Sequence, residues 1–452
     1  MKLQTKLAGL GALSAALLAS LPAWAQEATA EVAETVTEEV VPVMDKGDVS
    51  WMMISTVLVL FMTIPGLALF YGGLVRSKNM LSVLMQTTVI ACVMMIVWVI
   101  YGYSFAFGGS TSAWWGGTAK LFLSGVTADS MAATFSAGYV IPEYLFITFQ
   151  MTFAAITPAL IIGAFAERGK FTAVLVFSVL WATFSYFPIA HMVWDANGYL
   201  FVKGAIDFAG GTVVHINAGI AALVGALVIG KRVGFGKDNM APHSMVLTMV
   251  GASMLWVGWF GFNVGSNLEA NGGATLAMIN TFIATAAATL TWCAIEGMAR
   301  GKASMLGAAS GMVAGLVAVT PACGTIGPMG AILLGVIVSL VCYFFVTTVK
   351  HRMGYDDSLD VFGIHGIGGI IGAVLTGVLS AAAFGGVKGD DYAMAAQLWV
   401  QIEGVIITIV WSGVVSFVAY KLVDLTIGLR VDSDTERQGL DLISHGEQAY
   451  HS

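Results

Sequence analysis

Two histidines have the residue type and the placement to do chemistry. His215 and His365 each lie inside a long apolar segment, one in each half of a chain of 452 residues. Neutral imidazole offers one donor and one acceptor nitrogen. Two facing rings can therefore share a proton and present complementary sites to a small polar molecule. Each histidine follows an aspartate, in Asp207-Phe-Ala-Gly-Gly-Thr-Val-Val-His215 and in Asp360-Val-Phe-Gly-Ile-His365. A carboxylate close to hydrocarbon is costly unless it is hydrogen-bonded, so Asp207 is expected to be held by nearby backbone or hydroxyl groups. Its part is then a cap, or indirect electrostatic support for a cation, and Asp360 has a mainly structural part at the opposite mouth. One buried histidine is ordinarily a structural hydrogen-bonding group. Two in corresponding places point to a substrate or ion pathway.

The elements that must position these groups are membrane spans. The chain is 58% hydrophobic and 10% charged, against roughly 25% charged in soluble domains, and its mean hydropathy is +0.84. Crossing the hydrocarbon layer as helix takes about 20 apolar residues. Eleven such stretches can be drawn, at 50–72, 79–107, 142–166, 171–192, 208–230, 244–265, 273–298, 303–321, 327–349, 361–384 and 395–425. No period-two pattern suggests a barrel, so an all-α polytopic membrane protein is expected. Glycine, 54 of 452 residues, suits helices that approach closely in lipid.

Charge placement predicts the orientation. Numbered from an exported N-terminus, the loops on the inner side carry fourteen Lys and Arg residues, among them Arg76, Arg168, Arg232, Arg300 and Lys350. The outer side carries four: Lys46, Lys120, Lys203 and Lys388. This asymmetry predicts the N-terminus outside and the C-terminus inside. The two histidine-bearing spans are the fifth and the tenth, an odd offset of five, so they run in opposite directions. That is the arrangement of an inverted five-plus-five repeat with its site near the midplane, the eleventh span standing outside it.

Residues 1–25 read as a cleaved signal peptide. Lys2 and Lys6 precede an apolar run, and Ala23-Trp24-Ala25 offers a cleavage site. Residues 26–49 form an acidic outer arm, 50–426 the membrane domain and 427–452 an inner tail too short to be a signalling module. Two histidines without a third ligand make a poor metal site, and no phosphate- or dinucleotide-binding loop is present. No metal, cofactor, nucleic acid or enzymatic activity is therefore expected.

With these residues in view, the chain resembles the ammonium transporter family (Amt/Mep/Rh), in its bacterial Amt branch, over nearly everything from Trp51 to Tyr450. The matching stretches are Phe61–Gly73, Ile189-Ala-His-Met-Val-Trp194, Asp207–Asn217, Gly258-Trp-Phe-Gly-Phe-Asn263 and Asp360–Gly369. The resemblance implies a homotrimer of eleven-helix subunits in the cytoplasmic membrane, each with its own pore. It also implies an outer recruitment site for ammonium at Trp194, Phe149 and Ser266, and gate rings at Phe153 and Phe262. The twin-histidine pair of the pore falls on His215 and His365. A cation over an aromatic face gains roughly 0.5–2 kcal/mol. Phe149 and Phe153, four residues apart, share one helix face. In the tail, Gly428-Leu-Arg430 and Glu436–Asp441 are similar to the family's regulatory segment, which implies a trimeric PII-type signalling protein as partner. The competing readings are an ammonium sensor and an Rh-like channel for neutral gas, ammonia or carbon dioxide. Methylammonium is the expected substrate analogue.

Overall fold

The computed structural model describes residues 42–450. The expected signal peptide and most of the expected acidic arm lie outside these residues. Among the described residues, ten helices are long and apolar enough to cross a membrane. They are α1 (Lys46–Leu74), α2 (Ser77–Phe107), α3 (Glu143–Ala164), α4 (Phe171–Val202), α5 (Gly211–Ile229), α6 (Met245–Gly265) and α7 (Gly272–Arg300), then α9 (Pro328–Met353), α10 (Phe362–Leu379) and α11 (Met394–Thr426). The expected span at 303–321 is the shorter helix α8 (Met305–Val319). At 1.5 Å per residue it is about 22 Å long, short of a hydrocarbon layer of about 30 Å. Pro321 follows one residue beyond its C-cap, Thr320, and cannot continue the helix. The turn after it is held by the buried Asn280, whose Nδ2 donates to the carbonyls of Cys323 and Ile326, both at 2.8 Å.

Helix starts are satisfied by the residues that sequence rules favour. Ser244, Asn271 and Ser304 accept hydrogen bonds from backbone N–H groups of α6, α7 and α8 respectively. The loop after α2 folds a short antiparallel hairpin, β1 (Met131–Ala133) on β2 (Val140–Pro142). Loops on the face that carries Arg76, Arg168 and Arg232 are tied by a buried ion network. Glu167 accepts from Arg76 Nε at 3.0 Å and from Arg232 Nη1 at 3.2 Å. Asp356 accepts from Arg232 Nη2 at 2.8 Å. Burial pushes the Glu167 carboxyl up, but the bonds from Arg76 and Arg232 outweigh it and hold the group below its usual range. The tail docks on the same face. Asp441 accepts from the backbone N–H groups of Leu81 and Ser82 in the first turns of α2, and Glu436 accepts from Val233 N at 2.6 Å.

The helices that matter most for the site, α5 and α10, cross where both lack a side chain. A Cβ built on Gly219 would lie 2.3 Å from Gly366 N and 2.4 Å from Gly366 Cα. Backbone atoms cannot yield as a flexible side chain can, so this crossing requires glycine. Gly219→Ala is therefore expected to cost about 1–3 kcal/mol of stability through overpacking. Gly272→Ala, where an added Cβ meets nothing within 4 Å, should leave the melting temperature in detergent unchanged. Equal melting of the two variants would refute the close-packing account.

Candidate functional site

Both histidines sit in wide, π-helical first turns, His215 in residues Gly211–Ile216 of α5 and His365 in Phe362–Gly366 of α10. Such turns recur at functional sites. The start of α5 is built around Asp207. Its carboxylate accepts from the N–H groups of Gly210 (3.0 Å), Thr212 (2.8 Å) and Val213 (3.2 Å), and also from Gly211 N and the Thr212 hydroxyl. The orphan donors that every helix start leaves are thus satisfied by one buried acceptor. Gly210 has φ +113°, the left-handed region in which glycine is favoured.

The start of α10 uses the same device with a residue that sequence reading passed over. Asp357 accepts from Val361 N at 3.1 Å and Phe362 N at 2.8 Å. Asp360, the residue expected to correspond to Asp207, instead has a left-handed φ of +60° and accepts from Lys350 Nζ at 2.5 Å. The signal was present in the spacing. Asp207 precedes His215 by eight residues, and Asp357 precedes His365 by eight.

From these two helix starts the imidazoles meet. Their Nδ1 atoms are 3.2 Å apart and their ring centroids 5.3 Å, so one Nδ1 donates and the other accepts. The ring that carries the shared proton on Nδ1 has a bare, accepting Nε2, and its partner has Nε2–H as a donor. His215 Nε2 has no hydrogen-bond partner in the chain. Its ring stacks on Trp259 at 5.5 Å, which is itself fixed by Nε1 donating to Thr320 Oγ1 at 2.9 Å.

Both histidines border a central cavity of about 10 Å³, about the space that one water requires. On one side of it Phe153 and Phe262 stack at 4.1 Å with an interplanar angle of 20°. These rings are 1% and 0% exposed; Phe262 lines the central cavity, and Phe153 touches Trp194, which lines a larger cavity of about 260 Å³. That larger cavity is lined by Phe149, Gln150, Trp194 and Ser266, among others. The predicted recruitment residues are thus brought together. Trp194, however, makes its ring contact with Phe153, edge to face at 5.8 Å, so one ring serves both the outer cavity and the constriction. Trp194 is fixed by Nε1 donating to Asp207 O at 2.9 Å. Ser266 donates its hydroxyl proton to Phe262 O at 2.8 Å, which leaves its oxygen free to accept from a ligand. Gln150 was not singled out from sequence, where one amide on an aromatic helix carries no signal. Its Oε1 is buried and unpartnered beside the same cavity. On the other side of the histidines, a vestibule of about 180 Å³ is lined by residues including Tyr71, Ser310, Asp360 and His365.

Comparisons with known proteins agree with this architecture. The profile of the Ammonium Transporter Family matches residues 50–450. An ammonium transporter of Aquifex aeolicus (strain VF5) is 47% identical over 413 residues, covering 90% of this chain and 94% of the relative. One from Bacillus subtilis (strain 168) is 46% identical over 411 residues, covering 90% and 99%. Among solved structures, Mep2 of Candida albicans superposes with a TM-score of 0.80 at 34% identity, over 90% of this chain and 91% of that one. A sensor Amt protein gives 0.81 at 26% identity, over 88% and 98%.

Asp357 generates a pH signature. Burial pushes its carboxyl from 3.8 up to about 6, the neighbouring Asp360 adds to the rise, and Lys350 opposes it. The folded state therefore binds this proton more tightly than the unfolded chain does. The resulting stability is fully present below about pH 4 and is lost as pH rises through about 6. The melting temperature of the wild type relative to Asp357→Asn should accordingly fall between pH 4 and 6 and stay level above it. A difference independent of pH would refute this account.

Proposed function

The chain belongs to the ammonium transporter family, and on that footing we propose that it moves ammonium nitrogen across the membrane through the twin-histidine passage. The observation that carries this reading is the stacked Phe153–Phe262 pair set directly above the His215–His365 contact. An aromatic cavity with free oxygen acceptors lies on one side of it and a polar vestibule on the other.

Ammonium and potassium differ little in size, but only ammonium donates hydrogen bonds and can lose a proton. The outer cavity suits the intact cation. Trp194 and Phe149 supply ring faces, and Ser266 Oγ and Gln150 Oε1 supply acceptors. Carrying that cation through a dry constriction would meet a Born cost of order 20 kcal/mol before relaxation. We propose that ammonium is deprotonated at or below the ring pair, that ammonia passes along the histidine edge while the released proton crosses separately by way of the hydrogen-bonded imidazole pair, and that the two recombine in the inner vestibule. The bare Nε2 and the Nε2–H of the pair give ammonia one donor and one acceptor without charge. Asp207 supports the recruited cation at a distance, because its lone pairs are taken by backbone N–H groups.

The same reading places the protein in the cytoplasmic membrane with its N-terminus out and its C-terminus in. The short α8 is then the eighth of eleven spans. The repeated eight-residue spacing from aspartate to histidine supports an inverted five-plus-five repeat. Processing after residue 25, assembly as a homotrimer, and regulation by a PII-type protein at the face where the tail docks complete the proposal. The likeness to a sensor Amt protein gives ammonium sensing a second place.

Purified protein reconstituted in liposomes should give a current on an ammonium jump and none on a potassium jump. Trp194→Ala should raise the ammonium concentration for half-maximal current by about 2- to 30-fold, the loss of roughly 0.5–2 kcal/mol of cation–π attraction. A His215→Ala/His365→Ala double variant should lose discrimination against potassium. Internal alkalinisation without current would favour a neutral-gas channel. Neither signal from folded protein would favour the sensor.

A further inference from the structure

The face of α11 near Glu403 carries an aromatic and charged assembly that the passage does not use. Trp411 of α11 and Trp114, from the loop after α2, lie nearly parallel, with centroids 6.1 Å apart and planes at 8°. Tyr199, near the end of α4, stacks on Trp114 at 5.1 Å. Beside them runs an apolar groove of about 610 Å³, lined by Trp114, Ile407, Val410, Trp411 and Val414 among others. Val410 and Val414 are 58% and 60% exposed. The volume lies within the range of ligand sites.

One helical turn before Ile407 on the same face stands Glu403. Its Oε1 accepts from Tyr199 Oη at 2.8 Å and from Lys203 Nζ at 2.5 Å. The Lys203 ammonium lies 4.6 Å from the Tyr199 ring centroid. Among the described residues, Glu403 Oε2 accepts no hydrogen bond, and the Lys203 side chain remains 39% exposed. A helix of 33 residues is about 50 Å long and exceeds an apolar layer of about 30 Å by roughly 10 Å at each end. Glu403, nine residues from the start of α11, therefore falls about 14 Å along it, close to the level where hydrocarbon gives way to headgroups. Tyr and Trp gather at that level.

We propose that this groove binds a zwitterionic phospholipid whose headgroup carries a primary ammonium, phosphatidylethanolamine. An acyl chain lies along Val410 and Val414 against Trp411. The phosphate meets Lys203, and the ammonium donates to Glu403 Oε2. The paired charges select the headgroup. An anionic lipid would gain Lys203 but face the carboxylate, and a choline headgroup has no N–H to donate. Both charges stand at the same end of the groove, one helical turn from its wall, which matches a ligand with two opposite charges on one tether.

The test is native mass spectrometry of the full-length assembly with phosphatidylethanolamine, phosphatidylcholine and phosphatidylglycerol offered at equal concentration. Wild type should retain phosphatidylethanolamine over phosphatidylcholine. Glu403→Gln should weaken its retention by about three- to tenfold, the size of one ordinary hydrogen bond at a solvated site, and should shift preference toward phosphatidylglycerol because Lys203 is left unneutralised. Val410→Trp, which fills the groove, should lower retention of all three lipids without changing their order. Lys203→Gln provides a second charge variant should Glu403→Gln fail to fold. Equal retention of phosphatidylethanolamine and phosphatidylcholine by wild type, or an order unmoved by both charge variants, overturns the proposal. So does dissociation of the assembly by Val410→Trp, which would make this face a contact between copies. Chain-brominated phosphatidylethanolamine should quench wild-type fluorescence more than that of Trp411→Phe, and equal quenching would place the lipid elsewhere and overturn the proposal as well.

Discussion

The backbone contact between Gly219 and Gly366 is the constraint from which the interior of this protein follows. Two helices can bring short, rigid imidazole side chains to 3.2 Å between ring nitrogens only if their own axes come unusually close nearby. Glycine on both sides of the crossing permits that approach. Gly369 continues it, since a Cβ there would lie 3.2 Å from His215 Cβ. Trp259 then packs on one face of the His215 ring, and Phe262, one turn further along α6, lies beside it. The aromatic constriction is thus stacked on the histidines, and they in turn rest on a glycine seam.

The helix starts meet a second requirement. A chain that turns within a packed helix bundle leaves N–H groups that water cannot reach. Asp207 and Asp357 answer this at the two ends of the passage. Each satisfies the backbone of the turn that holds a histidine, so the ring's position is fixed by a carboxylate eight residues earlier. A positioning role of this kind explains why neither carboxylate needs to touch what passes.

Much of this was legible from residue order alone. The apolar stretches located the helices because their lengths and compositions admit one solution in lipid, and the two histidines stood out because polar atoms are rare there. Other features depend on three-dimensional placement. The shortness of α8 reflects a proline turn anchored by Asn280 from a neighbouring helix, which no local pattern reveals. The eye falls on Asp360 because it is nearer to His365, but Lys350, ten residues before it, claims its carboxylate, and the capping duty passes to Asp357. Gln150 matters only because α3 turns its amide toward the outer cavity, and Phe153 touches Trp194 because α3 and α4 pack there.

The Phe153–Phe262 stack has a consequence for the energy economy of a cell that holds this protein in its membrane. A cell stores work as a voltage across that membrane, about 2.3 kcal/mol for each elementary charge per 100 mV. A water-continuous tunnel would let ions discharge it. On the proposed mechanism, two face-to-face rings with room for about one water beneath them keep the passage from becoming such a tunnel. A seal made of two side chains rather than of whole helices asks little of the scaffold, and on the proposed mechanism the membrane remains charged between one passage and the next.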